Sequence, residues 1–99
     1  MKSAYMRLID SQDEIARLLN HDASYKDMPK CLSVAEQKLP EQDLRIRSAL
    51  EEGLITAYEW DVLNYCYRLS LSKHKYLKET EQIEREWREK YEKDNRANT

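Results

Sequence analysis

Four side chains in this sequence have the chemistry of soft metal ligands: His21, Cys31, Cys66 and His74. A structural zinc ion needs four such groups gathered into a tetrahedron, usually as two closely spaced pairs. The spacing here opposes that arrangement. Cys66 and His74 lie two helical turns apart, about 12 Å along one axis, too far to share an ion, and neither cysteine belongs to a CxxC pair. No metal and no cofactor is expected. Nucleophilic chemistry is equally unsupported, because no serine, cysteine or histidine sits in a nucleophile motif and one glycine cannot build a phosphate-cradling loop. Glu51, Glu52, Glu59 and Asp61 cluster near one another in the sequence. Acid–base catalysis by carboxylates requires matched geometry and shifted pKa values, and a solvated helix corner accounts for these four without it. The expectation is a protein that is not an enzyme.

The residues that do stand out are apolar. Ile83, Trp87 and Tyr91 recur at four-residue spacing inside an otherwise charged stretch, where Glu81/Arg85, Glu84/Arg88, Glu86/Lys90 and Glu89/Lys93 each place an acid one turn before a base. Such pairs each contribute about 0.2–0.5 kcal/mol to an isolated helix, so this segment can be helical without a core. A solvated helix has no use for a tryptophan. Large aromatics dominate interface energetics once their surroundings exclude water, and Ile83, Trp87 and Tyr91, with Tyr76 two turns earlier on the same rod, are the candidate partner-binding residues. The competing reading is that the rod folds back and buries this line within the monomer. As a long coiled coil the stripe is poor, since Lys73, Thr80 and Lys90 fall in the seam. Tyr58, Tyr65, Tyr67 and Tyr76 cluster around Trp60, consistent with an interface or with a core that uses Tyr where Phe is absent.

These side chains ride on elements that the sequence delimits well. Thr56-Ala57-Tyr58-Glu59 is a capping box, with Ile55 before it placed to staple onto Trp60. From there no glycine or proline interrupts the chain until about Asn95, a rod on the order of 57 Å long. Gly53 is the single glycine and fits a left-handed helix terminus just before that start. Earlier, a helix is predicted between Ser3 and Asn20 on the stripe Tyr5, Leu8, Gln12, Ile15 and Leu19, with a start at Ser11 as the alternative. A loop follows over His21–Leu32. Ser33-Val34-Ala35-Glu36 opens a short helix that Pro40 should end, because the residue before a proline avoids the α region. A second short helix then turns Ile46, Ala49 and Leu50 inward. The predicted core is Ile15, Leu19, Ile46, Leu50, Leu63, Tyr67 and Leu69.

The 99 residues suffice for one small domain. With few turn formers and no period-two alternation it should be all-α, a small helical bundle over 1–77 and a charged helical extension over 78–99 with a frayed end. The 17 basic and 19 acidic residues give a net charge of −2, and mean hydropathy is −0.95. So balanced a chain lacks the basic surface on which phosphate contacts rest, and membrane spans and a signal segment are not expected. Cytoplasmic localisation is expected, with both cysteines reduced.

Around the corner, Ala49-x-x-x-Gly53-x-Ile55-Thr56-x-x-Glu59-x-x-x-Leu63, followed by Arg68, resembles the C-terminal helical segment of the large bacterial acyl-CoA dehydrogenases of fatty-acid β-oxidation. The likeness covers about 20 residues. The family's acidic stretch is replaced by the Lys/Glu rod, and its flavin-binding and catalytic regions have no counterpart. The resemblance implies a stand-alone accessory helical module without dehydrogenase activity. The leading reading is an adaptor or inhibitor that binds another protein, or a second copy of itself as a homodimer, through the C-terminal helix. The alternative from another class is a small nucleic-acid-binding regulator, since Ala49, Gly53 and Val62 sit at helix-turn-helix spacing. Glu59 and Asp61 in the would-be reading helix oppose phosphate.

Overall fold

The computed structural model describes residues 1–20 and 28–97. Three helices, α1 (Ala4–Asn20), α2 (Met28–Glu51) and α3 (Ala57–Ala97), form an all-α bundle. They run up, down and up. One apolar cluster joins Leu8, Ile46, Ala49, Ile55 and Leu63 at the end containing the α2–α3 corner. A second joins Ile15, Leu19, Leu32, Ala35 and Leu39 at the opposite end. Tyr67 packs against both, and its phenol is pushed above the ordinary range by burial and then by the nearby Asp43 carboxylate.

Between the two apolar clusters lies a polar layer, one residue from each helix. Gln12, Gln42 and Ser70 are all buried. The Gln12 amide donates to Ser70 Oγ at 2.9 Å, and the Gln42 amide donates to the Leu8 carbonyl at 3.0 Å and reaches Gln12 Oε1 at 3.5 Å. Buried amides without partners are costly, so this layer fixes how the helices slide against one another. Ser70 therefore holds an inward position that hydrophobicity alone would give to its neighbour. Leu69 is 53% exposed, and on α2 the inward stripe runs through Ile46 and Ala49 and leaves Leu50 37% exposed. Both residues are corrections to the expected core.

α1 is one helix, with Ser3 Oγ accepting from the Met6 N–H at 3.2 Å as its cap. Ser11 instead donates to the Arg7 carbonyl within the helix. Two other expectations change in α2. Residues 28–32 are helical rather than loop, because Met28 and Leu32 pack into the second cluster and Pro29 falls in the first turn, where a missing N–H is harmless. The remainder of that expected loop, 21–27, lies outside the described residues. Pro40 does not end a helix either: α2 runs unbroken through it. Pro40 is exposed, so the Glu36 carbonyl it leaves without a donor faces solvent. Buried Ala35 and Leu39 before it and Gln42 and Ile46 after it hold the helix together by packing.

The corner is built as the sequence predicts. Gly53 has φ +72°, and the Leu54 N–H donates to the Ala49 carbonyl at 2.8 Å while Gly53 N–H donates to Leu50 at 3.1 Å, the two bonds of a Schellman terminus. The Thr56 N–H donates to Glu59 Oε1 at 2.9 Å and the Glu59 N–H to Thr56 Oγ1 at 3.1 Å, closing the capping box. Ile55 is buried with Trp60 packed against its cluster.

Two stability measurements test this fold. Gly53→Ala should lower the unfolding free energy by about 1 kcal/mol or more, although a Cβ there meets no atom within 4 Å, because the strain lies in the backbone; a urea titration giving equal stability contradicts it. Gln42→Leu should lower it by about 1–3 kcal/mol by stranding Gln12 Oε1. The double change Gln12→Leu/Gln42→Leu should then lower stability by less than the sum of the two single changes.

Candidate protein-binding face

α3 has 41 residues against 17 in α1 and 24 in α2. At about 1.5 Å per residue it is roughly 60 Å long, while α2 reaches about 36 Å. The molecule measures 66 × 21 × 16 Å with a radius of gyration of 18.2 Å, where a compact chain of this length has about 13 Å. Met28 and Pro29, where α2 begins, border Glu81, Glu84, Arg85 and Arg88. Beyond that level α3 continues as a single helix.

Ile83, Trp87 and Tyr91 are 56%, 70% and 65% exposed, and Tyr76 is 61% exposed. Among the described residues no other helix covers this line, and the Lys73 ammonium lies 5.7 Å from the centre of the Tyr76 ring. Trp87 and Tyr91 lie side by side and form a shallow apolar depression with the stems of Arg88 and Glu92. At about 100° per residue, the four apolar residues occupy a sector about 80° wide, turned about 120° from the side that Leu63, Ser70, His74 and Leu77 present to α1 and α2. The same sector contains Tyr65 and Leu69, both exposed. Sequence reasoning assigned Leu69 to the core and left Tyr65 in a general tyrosine cluster. Their spacing to Tyr76, at 11 and 7 residues, is the signal that places them on this line.

The helix is held in position by charge as well as packing. Glu36 of α2 pairs with Lys78 and lies 3.4 Å from His74 Nε2, across the α2–α3 interface. The His74 contact lacks hydrogen-bond geometry, and Nε2 is buried without another partner among the described residues. The hydrogen bond from Lys78, more than any other contact, holds the Glu36 carboxyl below the ordinary carboxylate range. Further along, Arg85 pairs with Glu81 at 2.6 Å, one of the acid-before-base pairs expected from the sequence.

The candidate chemical groups are dispersed. Cys31 and Cys66 are free and half-buried on different helices, His74 is engaged as described, and His21 lies outside the described residues. Among the described residues no three His, Cys, Asp or Glu side chains come together as metal ligands. Glu51, Glu52 and Asp61 are exposed, and the Glu59 carboxylate accepts from the Thr56 N–H in the capping box of α3. No helix among the described residues is long and apolar enough to cross a membrane. Comparison with family models, with curated proteins and with solved structures finds no match to this chain.

The Glu36–Lys78 pair sets a pH dependence. A carboxyl whose folded pKa is depressed contributes stability above its unfolded value and loses it as pH falls through the folded value. The wild type should therefore lose stability below pH 4.5, the ordinary value for this group, more steeply than Glu36→Gln. Urea midpoints that fall in parallel for both proteins from neutral pH into that range would contradict the pairing.

Proposed function

We propose that this chain is a non-enzymatic protein-interaction module, an adaptor or inhibitor, that binds through the exposed face of its C-terminal helix. The reading rests on one observation: Ile83, Trp87 and Tyr91 form a line of large apolar side chains exposed on a helix that extends past its own bundle. Exposed apolar area of this kind lowers free energy only when another surface covers it. Tyr76 extends the line toward the bundle, and Tyr and Trp suit such a surface because the ring buries area while the polar tip stays wet. Trp87 is the anchor, with Ile83 and Tyr91 as the neighbours that exclude water from it.

A reaction centre plays no part in this reading, and neither does nucleic acid. The positive charges along α3 alternate with acidic groups rather than forming a basic stripe. The cell compartment proposed is the cytoplasm, where free thiols such as Cys31 and Cys66 persist.

Trp87→Ala should weaken association by about 2 kcal/mol or more, typical of a central aromatic anchor, and leave thermal unfolding of the isolated chain nearly unchanged. Affinity capture from native extract beside a melting curve reads both quantities. A large drop in melting temperature with undiminished capture would place Trp87 inside the monomer and end the proposal.

A further inference from the structure

Resting on that reading, the charges beside the stripe point to its occupant. Tyr65, Leu69, Tyr76, Ile83, Trp87 and Tyr91 form one face of α3 about 40 Å long. Along one flank of that face run Asp61, Arg68, Lys75, Glu79, Glu86 and Lys93, all exposed. Their signs read minus, plus, plus, minus, minus, plus. This sequence of signs is complementary to itself when reversed. With a two-fold axis beside Leu77, Asp61 falls opposite Lys93, Arg68 opposite Glu86 and Lys75 opposite Glu79, and the symmetry makes each pairing twice. In antiparallel helix pairs like flanks meet like flanks, so all six contacts are of opposite sign. Among the described residues the Glu86 carboxylate accepts a hydrogen bond from the Gln82 amide at 3.1 Å.

We infer that the occupant is a second copy of this chain, its α3 packed antiparallel against the first about a dyad beside Leu77. The apolar residues agree with the same axis. Trp87 of one copy falls between Tyr65 and Leu69 of the other, Tyr91 falls between Val62 and Tyr65, and the two Tyr76 side chains meet near the centre. Leu69 also edges an apolar groove between α1 and α3 that Ile9, Ala16 and Cys66 line, so the arriving tryptophan has a wall on the α1 side. A parallel pair would set this flank against the opposite flank of the partner helix, so its self-complementary order of signs would go unmatched.

The isologous contact also explains why Lys73, Thr80 and Lys90 are tolerated near the seam. Each projecting helix then lies beside the other copy's bundle, so the contact joins helix to bundle along the face rather than two bare helices alone.

Sedimentation equilibrium on the intact protein tests the inference. The wild type should show a concentration-dependent monomer–dimer equilibrium. Arg68→Glu and Glu86→Arg should each weaken it by roughly tenfold, since the dyad repeats each like-charge contact. The combined Arg68→Glu/Glu86→Arg protein should recover most of the lost affinity, and circular dichroism should show all four proteins equally helical. A wild type that stays monomeric at the highest soluble concentration overturns the inference, and so does a dimer indifferent to either single reversal or not restored by the pair. Should the monomeric protein still capture another protein through Trp87, this inference fails while the interaction reading stands.

Discussion

The structure is governed by a mismatch of helix lengths. α1 and α2 together form a hairpin with 17 and 24 residues in its arms, and α3 with 41 must be packed by them. No arrangement of two shorter helices can cover a third of that length on every side. Uncovered surface on α3 is thus a consequence of chain geometry, and the only freedom left to the sequence is what to place there. Over most of the projection it places charge. Along one line it places isoleucine, tryptophan and tyrosine.

Which face of α3 is left over is decided in the bundle. Gln12, Gln42 and Ser70 satisfy one another only at one register and one rotation of the three helices. That rotation turns Ser70 inward, and with it Leu63 and His74, while Leu69 moves out to join Tyr76 and Trp87. The Glu36–Lys78 pair fixes the same rotation closer to the projecting end. A core lined only by leucine and isoleucine would tolerate several rotations. The polar layer thereby sets the direction in which the apolar line points, some distance from any residue that forms it.

Much of this was legible in the residues themselves. The Gly53 terminus, the Thr56–Glu59 box and the long helix after it rest on local rules, and local chemistry is enough to determine them. α2 was harder because its continuity is tertiary. Pro40 breaks a helix by local rules, and only the buried residues on both sides of it keep the helix whole. The same holds for Leu50 and Leu69, which have the hydrophobicity of core residues but are displaced by the register that buried glutamines impose. Gln12 did lie on the predicted α1 stripe, yet a lone glutamine gives no indication of Gln42 or Ser70. Within the candidate face, Ile83, Trp87 and Tyr91 were visible through contrast with their charged surroundings. Tyr65 and Leu69 had no such contrast in an apolar stretch, and only the observed rotation of α3 separates them from the core.

The central claim is that the line through Trp87 is open within one chain and closed by a second. Acrylamide quenching of tryptophan fluorescence in a Trp60→Phe protein, where Trp87 is the sole indole, reads this directly across a dilution series. The account predicts strong quenching at the lowest concentration and progressive shielding, with a blue-shifted emission, as concentration rises. Shielding that persists unchanged on dilution would mean that the chain covers its own tryptophan, and quenching that stays strong at every concentration would mean that no second copy covers it. Either result contradicts the account.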